Sequence, residues 1–218
     1  MVAVKTLRER QAEATRQLLV SVARELFTER GYAGTSVEDI IKGAGVARGA
    51  LYHHFSGKDA LFRAVYDEVQ AEVASRVVAT AVAAQEPWDG VKAGLSAFLD
   101  ACLEPAFRRI VVLDSVPVLA QGVWDGGIEH NELPMLRTVL TPLVETYLPG
   151  VPVEPLTHVA LGGLYGAALY IARSSDPRAA RAEADVVLDT LIGGLRSRVD
   201  AARPERSGPA RAKSRRRR

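Results

Sequence analysis

Apolar residues recur every three or four positions through most of the chain, which is the spacing that places them on one face of an α-helix. The first apolar stripe predicts a helix over about residues 12–30. Its members are Leu18, Leu19, Val22, Ala23, Leu26 and Phe27. No segment shows the alternation of apolar and polar residues that is typical of a strand, so the chain is predicted to be all-α.

Two short helices and a turn are predicted between residues 35 and 55. Thr35 and Ser36 are suited to cap the first of them, because hydroxyl side chains accept hydrogen bonds from helix N-termini. The apolar stripe of this helix is Val37, Ile40 and Ile41. Gly43 and Gly45 fit a turn, since glycine adopts positive φ without steric cost. Two helices joined by such a turn form a helix-turn-helix unit, whose second helix enters the major groove of DNA.

The outward residues of the second short helix have the chemistry for DNA contacts. Arg48 can donate two hydrogen bonds to a guanine, and the Ala50 methyl can contact a thymine methyl. Hydroxyl, imidazole and ammonium groups can donate to phosphates, as can the free N–H groups where the next helix begins. The predicted DNA-contacting residues are Thr35, Ser36, Arg48, Gly49, Ala50, Tyr52, His53 and Lys58.

Residues 26–65 resemble the DNA-binding domain of the TetR family of bacterial transcriptional regulators, and read LFTERGYAGTSVEDIIKGAGVARGALYHHFSGKDALFRAV. The threonine, the AGV turn, the LYxHF pattern and the lysine that follows carry the resemblance, which extends over residues 12–66. One departure is Ala47, where the family often has Ser or Thr, so one potential cap or phosphate contact is missing. The resemblance implies a helical C-terminal domain that binds a small molecule and dimerises through its last two long helices.

Later apolar stripes predict helices over the rest of the chain. A helix beginning near Lys58 is expected to run to about Ala84, and Pro117 is expected to kink or stop a later one. The other predicted ranges are 88–103, 105–118, 133–147, 156–173 and 178–199. The uncharged stretch 156–172 is shorter than the ~20 apolar residues that a membrane span needs. It is interpreted as a buried bundle helix, and the N-terminus has no apolar run typical of a signal peptide.

Charge is distributed unevenly over the predicted domains. The chain carries +2 overall, but residues 1–66 carry +3, residues 67–202 carry −8 and residues 203–218 carry +7. We divide it into a flexible basic arm (1–11), a helix-turn-helix domain (12–66), a ligand-binding and dimerisation domain (67–202) and a disordered basic tail (203–218). We call residues 12–66 the reading head and residues 67–202 the body. A basic head joined to an acidic body suits DNA binding by the head alone. The arm and the tail either add nonspecific DNA affinity or are solvated segments without a specific role.

A ligand pocket is expected in the C-terminal domain on the strength of the resemblance. Its candidate lining is apolar and aromatic, which favours an apolar or aromatic ligand. The candidates are Phe98, Cys102, Ile110, Leu113, Trp124, Leu136, Leu140, Tyr165 and Tyr170. The same residues at helical spacing also suit an ordinary core. His130, Arg137 and His158 are possible polar anchors, and residues 121–131 a possible lid.

Other functions find less support in the sequence. The single cysteine, Cys102, excludes an internal disulfide and fits a reducing cytoplasm, and neither a metal-binding pattern nor a need for a cofactor is evident. Neither Cys102 nor the pair Asp114 and Ser115 belongs to a recognisable catalytic motif, so an enzyme is not expected. The sequence favours a cytoplasmic, homodimeric regulator that binds a palindromic operator and no membrane, with repression as the family default. An adaptor of the same fold without DNA binding remains the alternative.

Overall fold

The computed structural model describes residues 6–122 and 128–202, and within these ranges the chain is helical and contains no strand. The helices are α1 (Leu7–Arg30), α2 (Val37–Ala44), α3 (Arg48–His54), α4 (Lys58–Val82), α5 (Pro87–Ala101), a π-helical segment (Phe107–Asp114), α6 (Ser115–Gly122), α7 (Ile128–Tyr147), α8 (Val153–Arg173) and α9 (Pro177–Ala202). The predicted all-α fold is thereby confirmed. The predictions for residues 1–5, Trp124 and the tail 203–218 fall outside the described residues.

Helix α1 begins at Leu7, five residues before the predicted start. Thr6 accepts a hydrogen bond from the Glu9 amide at 3.3 Å, and the Glu9 carboxylate accepts one from the Thr6 amide at 2.7 Å. This reciprocal pair is a capping box, which satisfies two backbone donors that the helix itself leaves unpaired. The prediction of a flexible arm up to residue 11 is therefore wrong for residues 7–11, and Arg8 and Arg10 lie in α1.

The N-terminal helices enclose a small aromatic core. Phe27 of α1 and Phe62 of α4 are fully buried and meet edge-on, with ring centroids 5.2 Å apart. Ile40 of α2 and Leu51 of α3 are equally buried and close this core from the other side. The four helices therefore pack together through apolar contacts, and the α2–α3 pair is fixed against α1 and α4.

Helix α4 carries the same core into the C-terminal half. Val69 and Val73, beyond the predicted boundary at residue 66, are buried in a cluster with Leu99, Cys102 and Ile110. A separate cluster lies at the other end of that half and contains Trp88, Leu140, Leu143 and Val199. The head and body are thus joined by an uninterrupted helix and a continuous apolar core.

The helical path around Pro117 differs from the prediction. The proline does not stop the helix as one predicted outcome had it, because α6 continues to Gly122. Instead, the eight residues Phe107–Asp114 that precede α6 form a π-helix. A proline inside an α-helix clashes with the carbonyl four residues earlier, here that of Leu113. The π-helix ends three residues before Pro117, next to the residue whose carbonyl the proline would meet.

Helix α7 also begins earlier than predicted, at Ile128 rather than near residue 133, and it contains Pro134 and Pro142. The predicted loop over residues 121–131 is therefore wrong at both of its ends. Gln121 and Gly122 end α6, residues 128–131 lie in α7, and the remainder is outside the described residues.

Helices α8 and α9 leave an apolar face uncovered. The exposed side chains are Val159, Tyr170, Val186, Val187, Leu191 and Leu195, with exposed fractions between 43% and 74%. A Cβ added at Gly162, Gly163, Gly166, Gly193 or Gly194 would meet no neighbouring atom. The prediction that residues 156–172 are buried is wrong for the single chain. By length and composition α8 is the one helix among the described residues that could span a membrane, although it packs on α7, α9 and the π-helical segment.

We expect Phe62→Ala to reduce the free energy of unfolding by about 3–5 kcal/mol, because it leaves a cavity in the core shared by α1, α3 and α4. Val82→Ala is the control, since Val82 is 74% exposed at the end of α4. Chemical denaturation measures both variants. A Phe62→Ala protein as stable as the control would contradict this account of the core.

Candidate DNA-binding site

Helix α2 and the turn after it are defined by local polar contacts. The Ser36 hydroxyl accepts a hydrogen bond from the Asp39 amide at 3.1 Å, and the Asp39 carboxylate accepts one from the Ser36 amide at 3.0 Å. Gly45 ends the helix with φ of 64° and ψ of 30°, a left-handed conformation that favours glycine. This turn sets the angle at which α3 leaves α2.

Helix α3 presents a polar face to solvent. Leu51 and the following Phe55 anchor it in the core, whereas the predicted DNA-contacting residues Arg48, Gly49, Tyr52 and His53 are exposed and Ala50 is half-buried. Ala47 caps the helix without a side-chain hydrogen bond, as expected from the missing Ser or Thr. A Cβ added at Gly49 would meet nothing within 4 Å, so this part of α3 is open to close approach.

Arg48 is held in place by its neighbours on this face. Its Nη1 lies 2.9 Å from Oε1 of Glu38 in α2, and its guanidinium carbon lies 5.7 Å from the centre of the Tyr52 ring. The hydrogen bond to Tyr52 and the charge of Glu38 raise the pKa of Arg48. Both partners of the ion pair are well exposed, so it orients Arg48 more than it stabilises the fold. Glu38 was not among the predicted site residues, and its pairing with Arg48 joins α2 to α3.

Thr35 has a structural role instead of the predicted DNA contact. It is 1% exposed, and its hydroxyl donates to the carbonyls of Gly31 at 2.9 Å and Leu26 at 3.2 Å. A buried hydroxyl with these acceptors cannot reach a phosphate, so the prediction is wrong for this side chain. The bonds instead close the turn between α1 and α2.

Lys58 likewise points inward. Its Nζ donates to the carbonyl oxygens of Tyr32 and Thr35, both at 3.0 Å, and lies 3.9 Å from the centre of the Tyr32 ring. The ammonium is therefore used to fasten the α1–α2 turn to the start of α4. The predicted phosphate contact through this side chain is wrong in this conformation. The α4 N-terminus itself has no side-chain cap, and its first N–H groups remain suitable for an anion.

Tyr32 connects the reading head to the body, which the sequence analysis did not predict. Its hydroxyl donates to Asp59 of α4, and its amide donates to Oδ2 of Asp114 at 2.7 Å. Burial, reinforced by Asp59, raises the pKa of Tyr32 to about 12. Asp114 is 82 residues away in sequence, so neither periodicity nor a local motif could have found this contact.

The predicted ligand-pocket residues are not brought together into one cavity. Cys102 and Ile110 are buried in the main core with Phe98 packed against it, whereas Leu140 and Leu136 belong to the separate cluster around Trp88. Leu113 and Tyr165 are half-buried. Burial raises the pKa of the Cys102 thiol to about 12, so the thiol stays protonated at neutral pH.

Tyr170 lies on the surface, where its hydroxyl donates to Glu183 of α9. It lines an open depression of about 510 Å³ at the end of α8, together with Gly166, Leu169, Arg173, Ser174 and Ser175. Of the predicted pocket residues that the structure describes, Tyr170 alone lines this depression.

The predicted polar anchors are also at the surface. Arg137 lies 3.5 Å from the Glu154 carboxylate, and the His158 Nδ1 lies 2.9 Å from the Glu154 carbonyl oxygen. The side chain of His130 is outside the described residues. Among the side chains that are described, no group of His, Cys, Asp and Glu has the arrangement of a metal site.

This geometry defines a helix-turn-helix protein, and comparisons with known proteins identify its family. Residues 19–65 match the family model described as bacterial regulatory proteins, tetR family, and residues 88–195 match that of a tetracyclin repressor-like C-terminal domain. A crystal structure of a TetR-family transcriptional regulator from Pectobacterium atrosepticum is 33% identical, covers 88% of this chain and 97% of its own, and superposes with a TM-score of 0.75. The chain belongs to the TetR family of bacterial transcriptional regulators.

Two further comparisons show a likeness to a curated regulator and to a protein of the same fold. SrpR, a transcriptional regulator from Pseudomonas putida, is 31% identical over 56% of this chain and 54% of its own length, so the chain spans about half of that curated relative. FadR from Bacillus subtilis, solved with stearoyl-CoA, shares the fold with a TM-score of 0.63 at 18% identity, over 82% of this chain and 98% of its own. The predicted helix-turn-helix unit and helical C-terminal domain thus correspond to the arrangement of a known family.

We expect Lys58→Met to lower the free energy of unfolding by about 1–3 kcal/mol, because two partly buried carbonyls lose a charged donor. Arg48→Ala, which removes an exposed cation of the same head, should change stability by less than about 0.5 kcal/mol. Thermal or chemical denaturation compares them. Equal stability of the two variants would mean that Lys58 has no structural role.

Proposed function

We propose that this regulator is a homodimeric repressor that binds a palindromic operator through α3 and leaves it when a small apolar or aromatic ligand binds the C-terminal domain. The observation that carries the proposal is the exposed face of α3, on which Arg48 is already oriented by Glu38 and Tyr52. It acts in the cytoplasm, where the operator is accessible.

The DNA contacts divide by chemistry. Arg48 reads a guanine through two hydrogen bonds, while Gly49 and Ala50 allow the backbone to come close to the base edges. Tyr52 and His53 donate to phosphates, which fixes register rather than sequence. Ser36 and the first N–H groups of α4 add phosphate contacts at the two ends of the unit.

Dimerisation uses the uncovered faces of α8 and α9. These faces combine exposed aliphatic side chains with glycines that leave space for a close helix–helix approach. A single α3 reads too few base pairs for useful specificity, whereas a twofold dimer reads two half-sites one helical turn apart. Packing α8 and α9 against a second copy makes a four-helix bundle and removes the exposed apolar surface from water.

The ligand enters among the apolar residues between α5, the π-helical segment and α8. FadR, which shares the fold, was solved with stearoyl-CoA, whose long acyl chain supports a ligand with an apolar part for this chain. Such a ligand releases the operator only if it binds the conformation that cannot engage DNA more tightly than the one that can. The predicted lining residues that are described are divided between two apolar clusters, and we infer that the core around Cys102 and Ile110 opens to admit the ligand.

The alternative is an adaptor that keeps the fold without reading DNA. An adaptor has no need of an exposed, oriented Arg48 on α3, which favours the regulator.

Selection of genomic fragments by the purified full-length protein at ~150 mM salt decides between these functions, since DNA binding is interpretable only at a stated salt concentration. Recovery of one palindromic site supports the regulator. Weak binding without sequence preference contradicts it and favours the adaptor.

We expect Arg48→Ala to relax the selected sequence at one base step and to weaken operator binding by about 1–3 kcal/mol. Arg63→Ala is a matched control, because Arg63 pairs with Asp67 at 2.9 Å on α4, outside α3. Repeating the selection with both variants measures the effect. Unchanged preference in the Arg48 variant would remove its base-reading role.

We expect Leu191→Glu to convert the dimer to a monomer and to reduce operator affinity by more than about tenfold, since it buries a charge in the interface and removes the second half-site. Val82→Glu places the same charge on an exposed residue of α4 as a control. Sedimentation measures the oligomeric state. A Leu191→Glu protein that stays dimeric would exclude this face.

A further inference from the structure

The turn between α1 and α2 contacts the π-helical segment through Asp114 and Arg109. Oδ2 of Asp114 accepts hydrogen bonds both from the Tyr32 amide at 2.7 Å and from Nε of Arg109 at 3.2 Å. The Asp114 side chain is only 16% exposed. The guanidinium of Arg109 packs over Gly31, where an added Cβ would collide with it. We call this group of Gly31, Tyr32, Arg109 and Asp114 the latch.

The latch is connected directly to the DNA-reading unit. Tyr32, which Asp114 holds by its amide, offers its carbonyl to Lys58 and its hydroxyl to Asp59, both at the start of α4. Thr35, three residues later, accepts from the same Lys58 ammonium and immediately precedes the cap of α2. A displacement of Asp114 is therefore transmitted to the start of α2 and to the start of α4 together.

The geometry of the latch depends on the π-helix. Arg109 and Asp114 are five residues apart, and hydrogen bonds between residues i and i+5 bring such residues onto one side of the segment. In an α-helix of 3.6 residues per turn the same two side chains would point about 140° apart. Conversion of Phe107–Asp114 to α-helix would separate Asp114 from Arg109 and turn it away from Tyr32.

Pro117 biases this segment toward the π register. It offers no N–H to the carbonyl of Leu113, and its ring would clash with that carbonyl in a regular α-helix. The segment also contains Ile110, which is fully buried beside Cys102 in the core where the proposed ligand would enter. The latch and the ligand region are thus two sides of the same short π-helix.

We propose that Asp114 is a positioning residue for DNA recognition, which holds the reading head through the Tyr32 amide only while Phe107–Asp114 keeps its π-helical register. Loss of that register frees the head from the orientation that matches the operator. The inference rests on the proposed function, because it concerns how that same DNA-binding site is oriented and regulated.

The first test measures the latch without DNA. Hydrogen exchange in the full-length protein should show the Tyr32 amide exchanging roughly tenfold faster in Asp114→Ala, because the amide loses a charged acceptor. Asp114→Asn keeps a neutral acceptor and should show a smaller increase. Asp100→Ala is the control, because its carboxylate pairs with Arg181 at 2.9 Å within the body. Unchanged exchange at Tyr32 in Asp114→Ala overturns the proposal.

The second test separates positioning from general stability. The operator selected by the wild type is compared with versions in which a base pair is added or removed between its half-sites. The wild type should prefer its own spacing by about tenfold or more, since half-site separation is a geometric match. Asp114→Ala should reduce that preference to about two- or threefold, with partial recovery in Asp114→Asn. A merely structural role would weaken binding equally at every spacing, and that result overturns the proposal.

The third test addresses the register. Pro117→Ala restores an N–H and removes the ring clash, so it should accelerate exchange at Tyr32 without altering any latch residue. Pro142→Ala, which also removes a proline from inside a helix, is the matched control in α7. Wild-type exchange at Tyr32 in Pro117→Ala overturns the dependence on the π-helix. If the wild type selects no operator, the proposed function fails and this inference with it, whereas a normal operator with an unaltered spacing profile in Asp114→Ala removes the inference alone.

Discussion

The contact of the Lys58 ammonium with the carbonyls of Tyr32 and Thr35 is the constraint on which the DNA-reading geometry depends. Helices α2 and α3 are short, with eight and seven residues, and helices of that length are not stable by themselves. Their position comes from the elements that flank them. By fastening the α1–α2 turn to the start of α4, Lys58 fixes both ends of the α2–α3 pair at once. The aromatic contact between Phe27 and Phe62 then supplies the apolar support beneath it.

The sequence was most informative where chemistry is local. The hydroxyl cap at Ser36 and the left-handed turn at Gly45 follow from neighbours within a few positions, and the structure has both. The apolar stripe of α1 is confirmed at Leu19, Ala23 and Phe27, whereas Leu18 is exposed. The start of α1 was predictable as well, because Thr6 and Glu9 form a capping-box pattern. The basic residues Arg8 and Arg10 in the same segment instead favoured a flexible arm.

The sequence was least informative where the same side chain can bind either of two kinds of partner. A lysine at the start of a helix near DNA can bind a phosphate or a buried carbonyl, and only the tertiary fold decides that Lys58 does the latter. The same holds for Thr35, whose hydroxyl donates a hydrogen bond to the Gly31 carbonyl in the turn that precedes it. The residues predicted to line one pocket lie in separate clusters for a related reason. Helical spacing identifies an apolar face, but it does not say which of two clusters that face will join.

The division between apolar and polar contacts suits a protein that must change the orientation of its head. The core along α4 is continuous and tightly packed, and packed cores resist gradual deformation. The contacts that set the head's orientation against the body are instead a few hydrogen bonds and an ion pair around Tyr32 and Asp114. Each hydrogen bond to a charged group such as the Asp114 carboxylate contributes a net of about 1.5–3 kcal/mol, whereas reversing a 1:99 equilibrium requires about 5.5 kcal/mol of differential binding. A ligand that binds the released state more tightly by that amount can therefore overcome the polar contacts, and the body can stay folded while the head is released.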